Sequence, residues 1–155
     1  MKEIEISLEM IDKARKKADE MGVIRNSILR GDGSIAGFIG EQIALQVLGG
    51  TWENTYDYDL ITPDGKKIDV KTKQTSVKPL PEYDCSISKS NTKQKCDAYA
   101  FVRIKGNLTV GWYLGMLDKK EYFEKARFFK KGEVDTSNGY KVRADCHNVK
   151  IFELN

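Results

Sequence analysis

The chain has 155 residues, 40% of them hydrophobic and 32% charged, with a net charge of +3. That composition describes a single globular domain over residues 1–155, long enough to bury a core, and it excludes a low-complexity chain. No apolar run approaches the roughly 20 residues that a membrane span needs, and the charged start from Lys2 onward has no signal-peptide core.

From the N-terminus, the apolar residues Leu8, Ile11, Ala14, Ala18 and Met21 recur at helical spacing. Ser7 is the expected cap and Gly22 the expected stop. Lys13, Arg15, Lys16 and Lys17 read either as a solvated face or as phosphate contacts. Residues 23–34 read as a loop or short helix ending in Arg30-Gly31-Asp32-Gly33-Ser34. These glycines lack the Walker spacing, so they suit a flexible approach to the next element. Ile35 to Leu48 is the strongest predicted helix. Its small residues Ala36, Gly37, Gly40 and Ala44 would let it lie close on a sheet. Glu41 interrupts its apolar stretch. Such a Glu either faces water or faces a site shared with the hairpin downstream. Gly49-Gly50 ends the helix.

Trp52, Tyr56 and Tyr58 come next. They suit the edge of a sheet, or stacking on bases. Then comes the β-hairpin: Leu60-Ile61, a turn at Pro63-Asp64-Gly65, and a return strand from Ile68. Side chains alternate along a strand, so Asp69, Lys71 and Lys73 share one face while Ile68 and Val70 share the other. Asp59 lies across the hairpin and is aimed at the same spot. Two carboxylates beside an ammonium group suit a hard divalent cation and a water. A ladder of weak cross-strand ion pairs is the plainer reading.

Pro79 and Pro81 end the return strand or force an extended path. Tyr83 to Ser88 alternates as a further strand. Lys89 to Lys95 is a polar basic loop or helix start, and Lys89, Lys93 and Lys95 suit phosphate contact or plain solvation. Cys96–Ile104 and Leu108–Leu114 form a second hairpin about Gly106-Asn107. Lys119 to Phe128 has helical spacing, and Lys130-Lys131-Gly132 closes it. Gly139 to Leu154 returns as one or two short strands. Cys85, Cys96 and Cys146 are too few and too scattered for a disulfide framework, which favours a reducing cytoplasm. With His147, the sole histidine, they contain four zinc-ligand types but no Cys-x-x-Cys pair, so buried free thiols are the default. The element order predicts an α/β fold with a central mixed β-sheet flanked by helices.

Asp59, a turn, then Asp69-Val70-Lys71 resembles the signature of the PD-(D/E)XK, or restriction-endonuclease-like, nuclease superfamily. In that family an acidic residue precedes the turn, (Asp/Glu)-x-Lys occupies the next strand, and a Glu often sits on the preceding helix. Gly40-Glu41-Gln42-Ile43-Ala44 matches that last place. The texture of Asp97-Ala-Tyr-Ala-Phe-Val-Arg103 is similar to small phage and bacterial members. The likeness covers the middle half of the chain, and Gly115 to Leu154 carries no catalytic motif.

The resemblance implies a restriction-endonuclease-like sandwich that hydrolyses DNA phosphodiesters with Mg²⁺ or Mn²⁺. Glu41, Asp59, Asp69 and the Val70 carbonyl would hold the metal, Lys71 would act on the attacking water, and Lys73 would contact phosphate. Asp69 stands where Glu is commoner, and Asp57 competes with Asp59 for the first acidic role. Cutting two strands would call for a homodimer. The implied place of work is the cytoplasm of a bacterium or phage-infected cell. The alternatives are an inactive DNA-binding module of the same fold and a phage-encoded adaptor that binds a host protein.

Overall fold

In the computed structural model, residues 1–21 and 32–155 are described; the expected Gly22 stop and the loop over 23–31 lie outside them. The central element is a six-stranded mixed sheet. Its strands are β1 (Lys2–Glu5), β2 (Thr51–Trp52), β3 (Leu60–Ile61), β4 (Lys67–Thr75), β6 (Ala98–Lys105) and β7 (Val110–Asp118), in the order β1-β7-β6-β4-β3-β2. The β4–β6 pair is parallel and the other pairs are antiparallel. Strand β5 (Asp84–Ser88) lies between β4 and β6 in sequence but joins a second sheet.

Two helices cover one face. In α1 (Leu8–Met21), the Met10 amide donates to Ser7 Oγ at 3.2 Å, the expected cap. Helix α2 (Asp32–Leu48) begins three residues earlier than Ile35, so the Asp32-Gly33-Ser34 segment is helical rather than part of a loop. Ile39, Ile43 and Ala44 of α2 are buried with Ile68, Val70, Ala100 and Val102 of the sheet. Gly40 makes the approach close, since a Cβ there would overlap the Thr72 side chain. Gly49 and Gly50 stop the helix at φ +73° and +94°, a region open to glycine.

The other face departs from the expected helical layer. It is covered by α3 (Lys119–Lys125) and by a three-stranded antiparallel sheet of β5, β8 (Arg127–Phe129) and β11 (Cys146–Lys150). Tyr99, Phe101, Leu117, Tyr122, Val149 and Ile151 form the core there. A small two-stranded ribbon, β9 (Val134–Asp135) and β10 (Tyr140–Lys141), stands at its margin.

One strand is added to the expected elements and three local expectations are corrected. Lys2–Glu5 is a strand: Ile4 and Ile6 alternate into the core, and β1 pairs with β7. Leu8 is 80% exposed, and the buried stripe of α1 runs instead through Met10, Ile11, Ala14, Ala18 and Met21. The helix expected to reach Phe128 ends at Lys125. Ala126 is extended, and Phe128 pairs with His147 across two strands, so the aromatic contact there is cross-strand and not helical. Leu108 sits in the turn at φ +59°, and β7 runs past Leu114 to Asp118. Among the described residues, no helix is long and apolar enough to cross a membrane.

Candidate active site

Strand β3 is only two residues long, so it covers β4 only at Lys67 and Ile68. Beyond that point the outer edge of β4 has no strand partner among the described residues. The chain just before β3 supplies a substitute. Asp59 N–H donates to the Ile68 carbonyl at 2.8 Å, and Asp59 Oδ2 accepts the Val70 N–H at 2.8 Å. A strand residue points its N–H and C=O to the same side. The Val70 carbonyl therefore faces this same open edge.

Two further carboxylates meet Asp59 there. Glu41 comes from α2, and Asp69 from the face of β4 opposite Val70. All three are buried: Glu41 is 7% exposed, Asp59 8% and Asp69 4%. Burial, then the charges of Glu41 and Asp69, push the Asp59 carboxyl up to about 9. Burial also raises Glu41, partly offset by hydrogen bonds from Trp52 and Asp59 and by the nearby Lys17 charge. Burial and their mutual repulsion thus hold both carboxyls above the ordinary carboxylate range. The cluster carries more negative charge than its surroundings compensate.

The cationic partner is Lys71. Its Nζ lies 2.7 Å from Asp69 Oδ2 and donates to Gln94 Oε1 at 3.1 Å. Gln94 is fixed in turn by its amide, which donates to the Tyr56 carbonyl at 3.0 Å. Asp69 Oδ2 faces Lys71 as a close, largely buried ion pair.

Trp52 and Lys17 join the site although no motif in the sequence assigns them to it. Trp52 Nε1 donates to Glu41 Oε2 at 2.5 Å, and Lys17 Nζ stands 3.7 Å from the Trp52 ring centroid. The cation–π contact holds the indole that holds Glu41. One of the four basic residues of α1 is thus beside the site, while Lys13 is paired with Glu9 at 3.3 Å on the exposed face.

Asp57, the competitor for the first acidic role, is engaged elsewhere: its Oδ1 accepts the Lys95 amide at 3.0 Å, whereas Asp59 accepts the Val70 amide at the strand edge. Lys73 shares the Lys71 face, and its Nζ lies 5.9 Å from the Tyr140 ring centroid. Lys89 and Lys93 line a shallow surface cavity with Lys131 and Arg143, and Lys95 is exposed nearby. Arg143 also lines the cavity that Lys71 borders, so basic groups run continuously from the site to this loop.

The donor set suits a hard divalent cation: three carboxylates and a main-chain carbonyl. Among the described residues, no three His, Cys, Asp or Glu side chains stand as a ready-made metal cage. Glu41 is drawn to Trp52 and Asp69 to Lys71, so side-chain rotation would have to bring the oxygens onto one ion. The cysteines are three buried free thiols. Burial pushes Cys85 up to about 12 and Cys96 up to about 11, and His147 packs 5.0 Å from both Phe123 and Phe128.

Neither protein-family models nor curated proteins show a match to this chain.

Proposed function

We propose that this protein is a metal-dependent deoxyribonuclease of the restriction-endonuclease-like type. The observation that carries the reading is the convergence of Glu41, Asp59 and Asp69, from three separate segments, beside the Lys71 ammonium at one open strand edge. Structural ion pairs are seldom built this way. Desolvating three like charges costs stability, and one lysine does not return it. Such a cost is typical of sites shaped for chemistry.

Asp59, Asp69 and the Val70 carbonyl would hold Mg²⁺ or Mn²⁺, with Glu41 as a further direct or water-mediated ligand. The bound ion would supply a water of lowered pKa and polarise a phosphoryl oxygen. Lys71, fixed by Asp69 and Gln94, would orient the attacking water and stabilise the charge that develops on the phosphoryl group. Lys73, Arg143, Lys89, Lys93 and Lys95 would lead the DNA backbone to that point. A homodimer would place two such sites for cutting both strands.

The test is incubation of supercoiled plasmid with the protein in Mg²⁺ or in EDTA. Nicking or cleavage that needs the metal and disappears in Lys71→Ala and Asp69→Ala supports the assignment. Metal-independent cutting, or cutting unchanged in both variants, refutes it. DNA binding without cutting in either metal would leave an inactive binding module.

A further inference from the structure

Beneath the main sheet, on the side away from α2, lies a cavity of about 400 Å³ between β4, β6, the second sheet and the segment carrying Tyr140 and Arg143. The sheet register explains its composition. Lys71 stands beside Phe101 and Lys73 beside Arg103, so these four side chains share the face that forms the cavity roof. The opposite wall is β11, which contributes Asn148.

The polar groups of this cavity keep unused hydrogen-bonding capacity or charge. Asn148 is 2% exposed, yet its Oδ1 is buried with no hydrogen-bond partner among the described residues. A buried amide oxygen left unpaired costs stability, and this one belongs to a residue that lines the cavity. Arg103 is 7% exposed and uses one nitrogen on the Asp84 carbonyl at 2.9 Å. The rim adds Lys73 and Arg143, whereas the one acidic residue of the lining, Asp84, is already paired with Lys150 at 2.7 Å. The cavity is therefore cationic. Its mouth also carries Tyr140, 46% exposed, with the Lys73 ammonium 5.9 Å from its ring centroid.

We propose that this cavity receives one unpaired nucleotide of a DNA substrate, its base read by Asn148 and stacked at Tyr140, its phosphate held by Lys73, Arg103 and Arg143. A carboxamide presents a donor and an acceptor side by side, the pattern needed on the edge of a base. Base-on-aromatic stacking tolerates any base, and arginine suits phosphate bidentately. The volume lies in the usual range for small-ligand pockets, about 300–1,000 Å³. Because Lys71 borders both the cavity and the carboxylates, a nucleotide seated here would set the neighbouring phosphodiester against the reactive edge. Extruding a base is cheapest at a bulge, a mismatch or a single strand, so the enzyme would favour DNA with an unpaired position. This inference rests on the nuclease reading for the chemistry, but binding tests it separately.

The experiment is fluorescence anisotropy with a labelled duplex holding a single-nucleotide bulge and with its fully paired counterpart, both in EDTA. Plasmid cleavage in Mg²⁺ is measured in parallel. The expected result is about tenfold or more tighter binding of the bulge, as one stacked and hydrogen-bonded base provides. Asn148→Ala and Tyr140→Ala should bring the two duplexes to equal affinity, while the paired duplex binds each variant as it binds the parent, which shows that the variants are folded. Equal affinity in the parent protein, or a preference that survives both variants, overturns the inference. If plasmid is still cut in that case, the nuclease reading stands alone. If the bulge preference appears without any cutting, the pocket stands and the nuclease reading falls.

Discussion

The Asp59 carboxylate takes the place of a missing strand. Its Oδ2 accepts the Val70 amide at 2.8 Å where β3 has already ended, so a buried acid completes the sheet edge at the point where the edge opens. A single side chain thereby serves the fold and the site together, and its two duties conflict. The fold needs only an acceptor for Val70. The site needs a negative charge, which burial and two neighbouring acids oppose.

Asp59→Asn separates these duties. Asparagine keeps the acceptor for Val70 and a donor toward Glu41, and it removes the charge. At neutral pH the metal-free protein should become more stable by about 1–3 kcal/mol, because asparagine spares the folded state the uptake of a proton that the unfolded acid releases, while cleavage is lost. Thermal or urea unfolding of the metal-free protein, read beside the plasmid assay, checks both halves.

The same carboxyl sets a pH dependence. Its folded pKa is raised from 3.8 to about 9, so the folded state keeps a proton that the unfolded state releases. The stabilisation from this group is complete below the unfolded value and is lost as pH rises through the folded one. Metal-free protein should therefore melt progressively lower from about pH 5 to about pH 9, a fall that Asp59→Asn flattens. Added Mg²⁺ should raise the melting temperature more at the alkaline end, where the carboxyls are ready to bind it.

Trp52→Phe removes the indole donor to Glu41 and weakens the seat of Lys17. Loss of one charge-assisted hydrogen bond should cost about 1.5–3 kcal/mol of stability at most. The metal concentration needed for half-maximal cleavage should fall, because Glu41 no longer has to leave the indole to reach the ion. A titration of activity against Mg²⁺ reads this directly.

Gln94→Ala leaves Lys71 with its charge and with Asp69 but without its second anchor. The cleavage rate should fall by about tenfold, against a loss of about 100-fold or more in Lys71→Ala, the usual range for removing a group that stabilises the transition state. Plasmid binding should be unchanged in Gln94→Ala.

Gly40→Ala tests the seating of the helix that carries Glu41. The added methyl would meet the Thr72 side chain, and α2 would have to lift from β4. Overpacking of this kind should cost about 1–3 kcal/mol. Gly40→Ala with Thr72→Ala should recover much of that loss, which a double-mutant cycle on the melting temperature would show.

The hairpin is legible in the sequence because its signals are local. Pro63-Asp64-Gly65 makes the turn, with Gly65 at φ +85°, and alternation alone places Asp69 and Lys71 on one face. Helix α2 is legible from its small and apolar residues, and Glu41 from the interruption it makes. Trp52, Gln94 and Lys17 are not, because each enters the site through a contact between distant segments. Trp52 bears only a generic aromatic signal, Gln94 sits in a run of lysines, and Lys17 looks like any solvated helix face. Strand β1 is hidden because four residues beside a helix give too short an alternation. The second sheet is hidden for a different reason. Alternation marks β5 within Tyr83–Ser88 and β11 within Gly139–Leu154 as strands, but β8 reads as the end of a helix and the three lie far apart in the chain, so only their packing on Tyr99, Phe101 and Tyr122 declares them one sheet.

The central claim is that Glu41, Asp59 and Asp69 share a cation. A crystal grown in MnCl₂ and measured for anomalous scattering tests it most directly. The account predicts a manganese peak between the Asp59 and Asp69 carboxylates and the Val70 carbonyl, with Glu41 turned from Trp52 toward it, and no peak in Asp69→Ala. Manganese absent from that edge, with Glu41 still on Trp52 and Asp69 still on Lys71, would contradict it.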